Sequence, residues 1–377
     1  SDDAFRRFYG IDNVLLTDRV NTIYLDGQSD RNFFGLKLYQ LGGLLLNGSN
    51  QANSTALPVI DYDYIFANPV AGGELSWKTT ALALQRDHAV VGQSTESYNH
   101  VKSELQWRRK LTDAFGITYT PYADARGDLY DYDNAINPST NTATPSTSIG
   151  RAVGTGGVTV SYPWVASGGN ATHTIEPIGQ ALYTEASGTQ RSMPDEDARS
   201  LVFDDTNLFE TQKFSGTDRI ETGTRANVGV QYTFQSNDGG YARFLAGQHY
   251  QLDGQNAYTE TGTITDTING VTSTQAVFSP VSGLQRPRSD YVLGAYFAPT
   301  STLRFLSQSR FDEQTGALRR EDAYASASYG PIQGTALYTQ AATDPSTGFA
   351  TPQSEIIGSV GLKLTDRWSA TGTLRYD

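Results

Sequence analysis

Apolar and polar positions alternate with a period of two along most of this 377-residue chain, and helical stripes are scarce. Over 356–364 the even positions are mostly apolar and the odd ones mostly small or polar. In 368–376, Trp368, Ala370, Gly372, Leu374 and Tyr376 share one face, while Ser369, Thr371, Thr373 and Arg375 share the other. The stretch 226–234 repeats the pattern, and Thr, Tyr, Val, Phe and Gly dominate such runs, as strands between two environments require. About 16 runs follow one another, most longer than an ordinary globular strand. They lie near 19–26, 31–44, 57–67, 72–86, 98–111, 115–130, 151–163 and 172–186, then 221–236, 240–251, 287–298, 302–313, 318–329, 332–341, 354–364 and 367–377.

The connections alternate in length. Tight turns are expected at 27–30, 112–114, 237–239, 299–301, 330–331 and 365–366, all rich in Gly, Pro, Asn, Asp or Ser. Longer polar segments fall near 131–150, 187–220, 252–286 and 342–353; the short connection at 314–317 breaks the rule. Unlike ends of this kind mark an all-β, antiparallel up-and-down transmembrane β-barrel, with short turns on one side of the membrane and long loops on the other. Aromatic residues near run ends, such as Tyr62, Tyr64, Trp77, Trp107, Trp164 and Trp368, suit the headgroup level of a bilayer.

Composition averaged over the chain points elsewhere. Asp+Glu outnumber Lys+Arg 40 to 28, for a net charge of -12, and 38% of residues are hydrophobic. That resembles an acidic soluble β protein, such as a secreted adhesin. Alternation resolves the conflict, because only every second strand residue would meet lipid. Lys102, Arg108, Arg243, Arg304, Lys363 and Arg375 are expected to point inward, since a basic residue at the lipid midplane costs ~2–4 kcal/mol. The acidic balance argues against a nucleic-acid binder. No stretch reaches the ~18 apolar residues of a membrane helix. The absence of cysteine excludes disulfides, thiolate zinc sites and iron–sulfur clusters within this chain. Ser1-Asp2-Asp3 does not begin a signal peptide.

Catalytic and metal-binding constellations are not found, so no catalytic residue, metal ligand or cofactor is assigned, and an enzyme is not expected. There is no G-x-S-x-G or H-E-x-x-H, and Gly154, Gly156 and Gly157 do not complete a phosphate loop. The four histidines (His88, His100, His173 and His249) are scattered and read as polar strand residues; His88 follows Asp87 but lacks a paired nucleophile. The acidic run 128–134 reads as a solvated loop, with a minor divalent-cation alternative. Pro121, Pro163 and Pro177 fall inside or near runs and are expected to mark strand breaks.

Segment 203–220 mixes aromatics, acids and Arg219 without a clean period. It is expected either to fold as a salt-bridged loop around Asp218 and Arg219 that packs on the barrel, or to close the lumen or grip a partner. Phe203-Asp204-Asp205-Thr206 and Phe214-Ser215-Gly216-Thr217-Asp218-Arg219-Ile220, followed by 224–230, resemble the signature stretch of the LptD family (also called Imp or OstA), the outer-membrane lipopolysaccharide-assembly translocons. Asp18-Arg19-Val20 with Asp30-Arg31-Asn32-Phe33-Phe34, His173-Thr174-Ile175-Glu176-Pro177, and Leu364-Thr365-Asp366-Arg367-Trp368 resemble further family stretches in matching order.

The resemblance implies a barrel of about 26 strands, a periplasmic jellyroll preceding it and an LptE-type lipoprotein plugging the lumen. Residues 1–377 would then be one region, a central excerpt of the C-terminal barrel without jellyroll, terminal strands or lateral gate. The implied activity is non-enzymatic insertion of lipopolysaccharide cargo into the outer leaflet of a Gram-negative outer membrane. The implied partners are the LptE-type plug, the periplasmic Lpt bridge and outer-membrane lipid, with no nucleic acid. Phe214, Asp218, Arg219, Arg225, Asn227 and Gln231 are the candidates for lumen wall or plug contact; Phe203, Asp204, Asp205, Thr206 and Gly216 belong to the signature loop. The alternatives are a closed 16-strand diffusion porin and a secreted soluble β protein such as an adhesin.

Overall fold

The computed structural model describes residues 18–43, 55–86, 96–133, 135–137, 142–144, 146–188, 195–198, 202–259, 263–268, 271–276, 282–343 and 351–377. They form an antiparallel meander. Its first part contains β1 (Asp18–Ser29), β2 (Asn32–Gly43), β3 (Thr55–Ile65), β4 (Glu74–Gln85), β5 (Ser97–Arg108), the short β6 (Leu111–Thr112) and β7 (Thr118–Asp133). A small hairpin of β8 (Ala135–Asn137) and β9 (Thr142–Thr144) stands apart from the main sheet. Then come β10 (Thr147–Ser161), the short β11 (Trp164–Gly168), β12 (Ala171–Ala186), β13 (Gly223–Ser236) and β14 (Tyr241–Gln251). A 3-10 turn at Ala257–Thr259 precedes a second separate hairpin, β15 (Thr263–Ile268) with β16 (Val271–Ala276). The meander resumes with β17 (Tyr291–Thr300), β18 (Leu303–Phe311), β19 (Leu318–Tyr329), β20 (Ile332–Ala341), β21 (Gln353–Lys363) and β22 (Ser369–Tyr376).

Among the described residues the main sheet has 18 strands, β6 pairs only with β7 and β11 only with β12, so setting these two short strands aside leaves sixteen long ones. Each long strand pairs with the next long strand in sequence. The alternation therefore located the wall well. Most observed ends fall within a few residues of the expected ones, and the β19 and β20 bounds coincide with them. The first turn is tighter than expected: β1 runs through Ser29, and Asp30 with φ 55° makes the turn. Among the described residues β1 pairs only with β2 and β22 only with β21.

Of the three prolines only Pro163 breaks its own strand; Pro121 and Pro177 lie inside the continuous β7 and β12, each facing an interrupted neighbour. Pro163 separates β10 from β11, and Pro121 lies opposite the gap between β5 and β6. The carbonyls of Pro121 and Pro177 accept from the amides of Arg109 and Tyr162, both in those gaps. A residue's N–H and C=O point the same way across a strand, so each missing donor faces a break.

The sheet has two chemically different faces. On one, Val228, Val230, Phe244, Leu293, Phe297 and Phe305 are exposed apolar residues. On the other, Arg225, Asn227, Leu245, His249 and Val292 are buried beneath the segment that links β12 to β13. Exposed aromatics including Phe115, Trp164, Tyr329 and Trp368 gather at the short-turn end. The acidic run 128–133 is not a solvated loop. It completes β7, paired on both sides with β5 and β10, and Asp128 is buried. Alternation explains the error: Asp128, Tyr130 and Tyr132 share the inner face, whereas Leu129 and Asp131 point away. His88 and Asn134 lie outside the described residues.

Candidate functional site

The segment between β12 and β13 folds back over the inner face and packs against strands from β5 to β18. Its first turn closes on itself. Asp204 accepts from the Thr206 amide at 2.8 Å and the Thr206 hydroxyl at 2.6 Å, while the Asn207 side chain bridges the Asp204 amide and the Val202 carbonyl. Self-bonded Asx geometry of this kind is what short polar side chains favour outside regular structure. Thr206 is left exposed, whereas Phe203 and Leu208 are buried.

The wall is hollowed to receive this turn. A Cβ on Gly247 would stand 2.4 Å from Leu208 Cδ2, and one on Gly294 would stand 2.0 Å from Asp205 Oδ2. Asp205 is held there by Arg243 at 3.3 Å and by the Gln308 side-chain amide at 3.0 Å. Phe203, Leu208, Phe214, Leu245, Tyr258, Leu284 and Val292 close an apolar cluster around the contact, with Phe214 stacked on Tyr258 at 4.6 Å.

Two polar clusters flank this apolar centre. In the first, the Glu221 carboxylate accepts from the Lys213 amide at 2.7 Å and pairs with Arg225 at 3.0 Å, with Lys213 Nζ 3.9 Å away. Arg225 also donates to the Thr211 carbonyl at 2.8 Å and to Thr184 Oγ1 at 2.7 Å. Asn227 donates to Gln180 at 2.5 Å and accepts from His249 Nδ1 at 2.7 Å, and Gln180 reaches the Phe209 carbonyl at 3.0 Å. Burial opposes ionisation of Glu221, yet Lys213 and Arg225 outweigh it and hold the carboxyl down at about 2.

The second cluster holds the end of the segment. Asp218 accepts from Tyr98 Oη at 2.7 Å and from the Glu196 amide at 2.7 Å. Arg151 donates to the Asp218 and Thr217 carbonyls at 2.8 and 2.9 Å, and Arg126 donates to the Thr217 carbonyl at 2.6 Å. Asp128 organises both arginines and His100, at 2.9 Å from Arg151, 2.8 Å from Arg126 and 3.1 Å from His100. Burial, and then the neighbouring Asp197, push the Asp218 carboxyl up to about 7. Arg219 pairs with Asp195 at 3.6 Å and not with Asp218. A Cβ on Gly216 would lie 2.3 Å from the Asp197 carboxyl carbon.

Asp195, Asp197 and Asp218 bring carboxylate oxygens within 4.8 Å of one another. Protein groups already engage them: Asp195 meets Arg219 and the Ala198 amide, and Asp197 accepts from the Thr217 amide, the Thr217 hydroxyl and the Asp218 amide.

The structure thus brings Phe203, Asp205, Phe214, Asp218, Arg219, Arg225 and Asn227 into one docked assembly. Gln231 lies further along β13, half-buried and cross-strand from Glu176 and Leu245, apart from the two polar clusters. Sequence reasoning missed Tyr98, His100, Asp128, Arg151, Lys213 and Glu221. The shared inner parity of Arg126, Asp128, Tyr130 and Tyr132 is the signal that could have found the β7 members.

Comparison with known proteins adds one family. The family model LptD: LPS transport system D matches residues 1–368. No curated protein matches the chain. Among solved structures, the siderophore receptor PirA from Acinetobacter baumannii is 8% identical, with 94% of this chain and 66% of that one covered at a TM-score of 0.46. PirA from Pseudomonas aeruginosa is 8% identical, with 95% and 66% covered at 0.43. These likenesses are too weak to carry an argument.

Proposed function

The chain belongs to the LptD family, LPS transport system D, and from that premise we propose that it forms the wall of a non-enzymatic conduit that inserts lipopolysaccharide into the outer leaflet of a Gram-negative outer membrane. The observation that carries this reading is the two-faced sheet. Its outer face is apolar and exposed, whereas the 202–222 segment is fastened to a polar inner face by buried charge clusters. A lipid-facing exterior and a polar interior are what a wall needs if acyl chains pass into the membrane beside it while sugars cross its lumen. No catalytic chemistry enters this reading.

The docked segment and its neighbours would offer a lumen surface to an LptE-type lipoprotein, and the driving force would arrive through the periplasmic Lpt bridge. Half-buried Gln231 is our candidate for wall or direct plug contact, whereas the buried Asp218 and Arg219 would act by holding the segment that shapes that surface. In cells whose only copy carries Asp218→Lys with Arg219→Glu, we expect less lipoprotein to co-purify and detergent sensitivity to rise. Normal results in both assays, at a normal amount of protein in the membrane, would leave the segment a packing element alone.

The sixteen long strands favour one second reading, a diffusion porin. The whole protein reconstituted in a bilayer separates them: a discrete, constitutively open channel supports the porin, whereas a conduit filled by its segment and plug gives none.

A further inference from the structure

We propose that the rim formed by segment 282–290 and the β18–β19 turn binds the phosphates of a glycolipid headgroup through Arg286, Arg288 and Arg319. The choice of a lipid rests on the transport reading; the cationic surface itself does not.

Asp312 builds the turn. One of its oxygens accepts from the Gln314 amide at 3.1 Å, the Thr315 amide at 2.8 Å and the Thr315 hydroxyl at 2.9 Å. The other oxygen takes Arg319 at 2.8 Å and Arg286 at 3.5 Å. Next to it, Glu313 takes Arg288 at 3.3 Å and Arg286 at 3.9 Å. Three guanidinium groups therefore surround two adjacent carboxylates.

Burial decides what solvent meets. The Asp312 and Glu313 side chains are 4% and 6% exposed, whereas Arg286, Arg288 and Arg319 are 44%, 63% and 35% exposed. The formal charges nearly cancel, but the acids lie beneath and the cations face out. Nearby charges are engaged: Asp290 by Arg310, Glu321 by the Ser307 and Ser309 hydroxyls, and Asp322 by Arg320. The hydrogen bond from Arg319, together with the Thr315 amide, holds the Asp312 carboxyl well below the usual carboxylate range, so its pairing with Arg319 persists in mild acid.

Each guanidinium has five N–H donors in a planar fork, and one or two contacts to a carboxylate leave others for a phosphate. Because the buried acids already orient the forks, less side-chain freedom is lost when a ligand binds. The overall charge of -12 disfavours a free polyanion approaching from solution. A lipid phosphate is delivered differently, along the membrane. The rim adjoins the apolar outer face at Tyr291 and Leu293, both exposed, so acyl chains and phosphates would find their surfaces side by side.

The test uses the whole protein with its partners in phosphatidylcholine nanodiscs doped with lipid A, with or without its phosphates, and reads retained lipid A by native mass spectrometry. Wild-type protein should retain the phosphorylated lipid at least about tenfold more tightly than Arg286→Gln/Arg288→Gln, as losing charge-assisted hydrogen bonds implies. The dephosphorylated lipid should not distinguish the two. Arg286→Lys/Arg288→Lys, which keeps the charge but not the fork, should fall between them. Equal retention by wild type and both variants would overturn the proposal and leave an intramolecular ion-pair ring. Displacement of wild-type-bound lipid by inorganic phosphate at the same total phosphate concentration would overturn the choice of a lipid. The assay reads retention rather than delivery, so failure of the transport reading, scored in cells, is distinguishable from failure here.

Discussion

Replacing Glu221 with glutamine removes the carboxylate that both Lys213 and Arg225 face in an almost solvent-free site. Breaking a buried ion pair from one side costs ~3–5 kcal/mol, because the remaining charge is left uncompensated. Proton linkage gives a second route to the magnitude. A carboxyl held at about 2 rather than at its ordinary 4.5 contributes about 3 kcal/mol at neutral pH. The two routes agree, so docking of the segment should weaken by about 3 kcal/mol, which lowers amide hydrogen-exchange protection across 203–221 by about two orders of magnitude. The sign with pH is fixed. A depressed carboxyl stabilises fully above its unfolded value of 4.5, and that contribution is lost as pH falls towards about 2. Wild-type protection at the Lys213 end of the segment should therefore drop on acidification, whereas Glu221→Gln loses this component of the pH dependence. Adding Lys213→Met to Glu221→Gln should restore part of the loss. Unchanged protection in Glu221→Gln at neutral pH refutes the idea that this cluster fastens the segment.

The Asp218 end should respond in the opposite direction. Its carboxyl is raised to about 7 from an ordinary 3.8, so docking there weakens as pH climbs between those values. Asp218→Asn should flatten that dependence in exchange measurements on 195–198 and 216–220. Gly294→Ala should displace the Asp205 carboxylate from Arg243 and Gln308 at a cost of ~1–3 kcal/mol; Asp205→Ala in the same chain should relieve the clash, which a thermal-unfolding cycle would reveal. Pro121→Ala and Pro177→Ala should each change stability by less than about 1 kcal/mol, since the restored donors face gaps in the ladders. A loss of several kcal/mol in either variant would show that proline itself shapes those breaks.

The wall was legible because its physics is local. Period-two alternation and turn chemistry found the long strands, including β19 and β20 to the residue. The aperiodic stretch after β12 was legible as something other than wall, but its anchors were not. Tyr98 meets Asp218 across 120 residues of sequence, and Gln308 meets Asp205 across 103. Nothing near either acid announces such a partner. Buried charge caused the clearest misreading: Asp128 looked like solvent-facing acid because the arginines and histidine that satisfy it come from two other strands and from its own. Asp218 and Arg219 adjoin in sequence, yet within the packed, salt-bridged loop each finds a different and distant partner, Tyr98 for Asp218 and Asp195 for Arg219.

The anchors of the 203–221 segment have a temporal consequence. Tyr98, Arg126 and Arg151 precede it in the chain, whereas Arg243, Gly247, Gly294 and Gln308 follow it. The segment cannot seat when it is synthesised, nor when its own flanking strands first pair; it must wait for β14, β17 and β18 to arrive. Seating is thus a late step of maturation, and it reports that the middle of the wall has been assembled in register. A chain stalled before β14 and β17 would still display Phe203, Leu208 and Phe214 as apolar surface, because the Leu245, Leu284 and Val292 that cover them come from β14, the 282–290 segment and β17, a mark that distinguishes an unfinished wall from a finished one.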